Sequence, residues 1–101
     1  MKRIPKSFQL MGHTITVRVV SQKDWEALGD KYEDLDDAVG FWIPADDLIV
    51  IKKQTPAMTY HTWCHELMHA ITYYINSPLT NDEVFIDNAG GLLAQALSTA
   101  K

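Results

Sequence analysis

A chain of 101 residues has room for one domain with a modest core, burying about 60–65% of the surface its unfolded form exposes. Hydrophobic residues make up 47% and charged residues 22%; the net charge of −4, with the acids gathered between Asp24 and Asp47, excludes the clustered basic footprint of a nucleic-acid-binding domain, and the short Met1–Lys6 tail reads as a solubilising end. The single cysteine, Cys64, excludes an intrachain disulfide, and no apolar run is long enough for a signal peptide or a membrane span, so a soluble, cytoplasmic protein is expected.

Phe8–Met11 and Thr14–Val20 flank Gly12-His13 and predict a β-hairpin, with Ile15, Val17 and Val19 as the inward set of its second arm. Ser21 predicts an N-cap for a short helix over Lys23–Leu28, halted at Gly29. The acidic run Glu33, Asp34, Asp36, Asp37 lacks the ligand pattern of a calcium loop and is expected to be a solvated loop. Gly40–Ile43 and Leu48–Lys52, separated by Pro44-Ala45-Asp46-Asp47, predict a second hairpin, and the unbroken apolar run of Leu48–Ile51 predicts a strand covered on both faces. A helix from about Pro56 to Asn76, stopped by Pro78, and another from Asn81 or Asp82 towards the C-terminus complete an α+β domain with its strands first.

The first long helix carries His65-Glu66-Leu67-Met68-His69. Residues four apart share a helix face, so His65 and His69 present two imidazoles to one point, as a Zn²⁺ ion requires. Glu66, rotated by about 100°, is free to act as general base towards water that the metal acidifies. By composition alone this H-E-x-x-H pattern is expected on the order of once in a hundred chains of this kind. With Cys64 as reference, Leu67, Met68, Ile71 and Ile75 form an apolar stripe, and both histidines lie on its flank; Cys64 itself is expected to be buried and inert.

Catalytic zinc takes a third protein ligand. His61, one turn earlier, is one candidate. Glu83 on the next helix is favoured, because a short connection makes the two helices antiparallel neighbours, with Asp87 as the outer acceptor for a ligand histidine or as the rival ligand. Asp82 is expected to serve the helix N-terminus. Gly90 and Gly91 inside that helix predict either close approach to the His65 helix or a kink.

These residues resemble the gluzincin metallopeptidases, with His65-Glu66-Leu67-Met68-His69-Ala70 as the first element and Glu83-Val84-Phe85-Ile86-Asp87 similar to the family's E-x-x-x-D element. The hairpin leading into the helix is similar to small ImmA/IrrE-type and phage-encoded metallopeptidase domains. The resemblance covers about residues 40–98 and implies a Zn²⁺ cofactor on His65, His69 and Glu83, Glu66 as catalytic base, Asp87 orienting a ligand histidine, and an extended peptide or protein substrate along Gly40–Ile43 or Leu48–Lys52. The large helical subdomain of bigger gluzincins is missing, and Tyr60, His61 and Tyr73 are the neighbours available to stabilise an oxyanion. Two other readings remain: a metal-stabilised binding module, such as a phage accessory protein engaging a host regulator, and a metal-free structural protein.

Overall fold

The structure, a computed structural model, describes residues 3–29, 31–32 and 38–101; the expected acidic loop at Glu33, Asp34, Asp36 and Asp37 and the tail residues Met1 and Lys2 lie outside them. It is a small α+β domain: β1 (Ser7–Leu10), β2 (His13–Val20), α1 (Gln22–Leu28), β3 (Gly40–Ile43), β4 (Leu48–Lys52), α2 (Pro56–Tyr74) and α3 (Glu83–Thr99). Both expected hairpins form, with Leu10 opposite His13 and Ile43 opposite Leu48. The first turn is Met11-Gly12, one residue earlier than the sequence suggested, and both residues have positive φ (52° and 82°), as a tight turn matching strand twist demands.

The hairpins join into one mixed sheet of order β1-β2-β4-β3, through parallel pairing of β2 with β4 from Thr16–Leu48 to Val20–Lys52. That makes β4 an interior strand, and Ile49, Val50 and Ile51 are fully buried, as their unbroken apolar run predicted. Ile49 and Ile51 face α2, where they pack with Ile15, Val17, Tyr60, Trp63 and Cys64. Val50 faces the other side and packs with Val20 and Trp25 of α1. Of the expected inward set in β2, Val19 is partly exposed, because it borders a shallow cavity beside the first turn of α2 instead of core.

Local signals place the helices. Ser21 Oγ accepts the Asp24 N–H, Thr55 Oγ1 accepts the Met58 N–H ahead of Pro56, and Asp82 Oδ1 accepts the Phe85 N–H. α2 ends at Tyr74, two residues short of the expected Asn76, because Asn76 turns left-handed (φ 57°) and Pro78 opens a 3₁₀ turn over Pro78–Asn81. Ile75 therefore leaves the expected apolar stripe and is 65% exposed.

α3 packs along α2 without a break at its glycines. A β-carbon on Gly90 would stand 2.9 Å from His65 Cα and 3.0 Å from His65 N, so close approach of the helices, not a kink, explains that residue. No helix of the described residues is long and apolar enough to cross a membrane.

Candidate metal centre

α2 brings His65 and His69 to one face, with ring centroids 5.1 Å apart. The 3₁₀ turn then reverses the chain so that the first turn of α3 lies beside them. Glu83 reaches both histidines: Oε1 is 3.0 Å from His69 Nε2 and Oε2 is 3.3 Å from His65 Nε2. One donor atom from each of the three residues lies within 4.8 Å of the other two, so His65, His69 and Glu83 could hold a metal ion. With bonds near 2.0–2.1 Å, tetrahedral ligands stand about 3.3 Å apart, close to the two separations between the histidines and the Glu83 carboxylate.

The far side of each imidazole is also engaged. His69 Nδ1–H donates to the Thr80 carbonyl at 2.8 Å, which assigns a proton to Nδ1 and turns Nε2 towards Glu83. His65 Nδ1 lies 3.4 Å from Asp87 Oδ1, the outer contact expected of Asp87. The group that could hold an ion includes Glu83 and not Asp87. His61 is not a member of that group; its Nε2 lies 3.5 Å from the same Asp87 Oδ1.

Glu66 points between the helix and the sheet and is only 6% exposed. Burial pushes its carboxyl up to about 8, and the Glu83 charge adds to the effect. Gly40 makes room for it: a β-carbon there would meet Thr62 Cγ2 at 2.7 Å and Glu66 Oε2 at 3.3 Å. Since β3 is an edge strand and β4 is interior, Gly40–Ile43 is, among the described residues, the one of the two expected strands with an unpaired edge at the site.

Together these residues line a cleft of about 1390 Å³ between β3, α2 and the start of α3. Its walls include His61 and Tyr73, whereas Tyr60, the third neighbour considered from the sequence, is buried in the core. The Cys64 thiol is fully buried, and burial raises it to about 11.

Three contributors escaped the sequence reading. Gly40 had a signal, since an isolated glycine in a strand often marks close backbone approach. Trp42, two residues on, lines the same cleft and had the strand alternation to place it beside Gly40. The Thr80 carbonyl had none, because any residue carries one. No protein-family model, curated protein or solved structure matches this chain.

Proposed function

We propose that the protein is a zinc-dependent metallopeptidase. The observation that carries this reading is the convergence of His65 Nε2, His69 Nε2 and the Glu83 carboxylate beside a buried Glu66, all opening on one cleft. Two imidazoles and one carboxylate suit zinc, the Thr80 carbonyl fixes the His69 ring from its far side, and Asp87 lies 3.4 Å from the far side of His65. A divalent ion bound there supplies Lewis-acid chemistry, polarising a carbonyl and making water acidic near neutral pH.

This chain's residues do the rest. Glu66 takes the proton from the attacking water and passes it to the leaving amine. Gly40 leaves space for that side chain between β3 and α2, and the carboxyl's raised affinity for a proton suits a base that must accept one and hand it on. An extended peptide paired to the outer edge of β3 has its backbone led past Glu66 and the two histidines. The buried thiol of Cys64, the sole cysteine, fits action in a reducing cytoplasm.

Elemental analysis of the purified protein is the first test, with one zinc per chain expected and its loss in His65→Ala. Glu66→Gln then keeps the metal and loses peptide hydrolysis by several orders of magnitude. Unchanged turnover in that variant would remove Glu66 from the reaction, and stoichiometric zinc with no cleavage of any peptide would point to a metal-stabilised binding module.

A further inference from the structure

Beyond His69 the cleft is walled by aromatic rings. Tyr73 lies one helical turn after His69 and is 45% exposed, while Trp42 reaches it from β3 on the same strand face as Gly40. The Trp42 and Tyr73 centroids are 5.8 Å apart at 70°, Trp42 and Tyr74 are 6.0 Å apart at 58°, and Tyr73 and Tyr74 are 5.3 Å apart at 88°. The Trp42–Tyr73 and Tyr73–Tyr74 pairs are edge-to-face, as ring quadrupoles favour, and the Trp42–Tyr74 pair is tilted. Among the described residues the buried Trp42 indole N–H meets no acceptor.

The wall is tied down from outside the cleft. The Tyr74 hydroxyl donates to Asp47 Oδ1, and His13 Nδ1 lies 3.2 Å from Asp47 Oδ2. Asp47 itself sits left-handed (φ 46°) at the end of the turn between β3 and β4. Among the described residues lining the cleft none is Lys or Arg, whereas Glu66, Glu83 and Asp87 are acids.

Resting on the peptidase reading above, we propose that Trp42 and Tyr73 set its specificity, selecting peptides with an aromatic side chain next to the bond that is cut, and that Asp47 is a positioning residue acting through Tyr74. A substrate ring extends an edge-to-face array that the three protein rings begin, whereas an aliphatic side chain buries similar area without the quadrupole match. An acidic or basic side chain gives up hydration against the rings and makes no edge-to-face contact with them. A divalent ion at Glu83 offsets most of the negative charge of the three acids, so no strong field is left to favour lysine or arginine over a ring.

The test uses zinc-loaded protein and peptides identical except for Phe, Tyr, Leu, Lys or Glu on either side of the bond cut. The expected kcat/KM for Phe and Tyr is about tenfold above Leu, with Lys and Glu below Leu. Trp42→Leu and Tyr73→Ala each erase the preference for Phe over Leu while one zinc per chain remains. Asp47→Ala weakens the preference by raising KM for the aromatic peptides, and Asp47→Asn, which still accepts from Tyr74 and tolerates the left-handed turn, restores it. Equal turnover of Phe and Leu, or a preference for Lys, would overturn the assignment. If no peptide is cut, the peptidase reading fails, and the wall is judged by binding of the same labelled peptides to zinc-loaded Glu66→Gln protein. Aromatic peptides binding about tenfold tighter than Leu support it; equal affinities, or no binding, overturn it.

Discussion

Gly90 lies so close to the backbone of His65 that a β-carbon on it would come within 2.9 Å of the His65 Cα. The contact lets α3 lie against the turn of α2 that carries the first histidine, and so lets Glu83 reach both rings.

Gly90→Ala gains helix propensity of about 1 kcal/mol but forces two backbones apart, for a net loss of about 1–3 kcal/mol. Metal affinity falls with it, because Glu83 moves away from the histidines. Gly91→Ala is the control: its β-carbon meets only the end of the His61 side chain at 3.1 Å, which can turn aside. That variant is expected to be neutral or slightly stabilised. Urea denaturation and zinc titration of both variants check the contrast, and similar losses in the two would contradict it.

Asp87 touches His65 Nδ1 without belonging to the group that could hold the ion. Asp87→Ala is therefore expected to weaken zinc binding about 10–100-fold while leaving its stoichiometry at one. Glu83→Ala removes a donor and should cost more. Competition with a zinc-sensitive dye measures both, and a larger loss from Asp87→Ala would exchange the two roles.

Asp47 and Tyr74 give stability a pH dependence at both extremes. The Tyr74 hydroxyl, then His13, hold the Asp47 carboxyl below its ordinary value of 3.8. Its contribution is present above that value and is lost as pH falls through the lowered folded one. Tyr74 is pushed up to about 12, first by its hydrogen bond to Asp47. Its contribution is complete below the ordinary value of 10 and is lost as pH rises from 10 towards 12. Melting temperatures of metal-free protein and of Tyr74→Phe across the alkaline range check this: the variant should show a shallower decline. A decline of equal steepness would deny the link.

Cys64 is fully buried with its thiol raised to about 11 from 9.0. At pH 8 its thiolate fraction is roughly a hundredfold below that of a free cysteine. A thiol-specific disulfide reagent should leave it unmodified in native protein and label it fully in denaturant; rapid native labelling would place the side chain elsewhere.

Much of this architecture was legible along the chain because it is local. Caps at Ser21, Thr55 and Asp82 need only a side chain and an amide a few residues on. His65 and His69 share a face because any helix puts residues four apart on one side. The unbroken run Ile49-Val50-Ile51 foretold an interior strand. Even Gly90 was suspect, since glycine in a helix needs a reason to be there.

What the sequence determined by itself was thus the set of elements and the pair of histidines with their intervening carboxylate, all fixed by periodicities of a few residues. Only the tertiary structure decided that β2 pairs in parallel with β4, that Gly40 shelters Glu66, that Glu83 stands between the histidines with Asp87 outside, and that Thr80 and Trp42 belong to the same cleft. Those relations join residues distant along the chain. Their geometry follows from how whole elements pack, and no spacing of residue types encodes it.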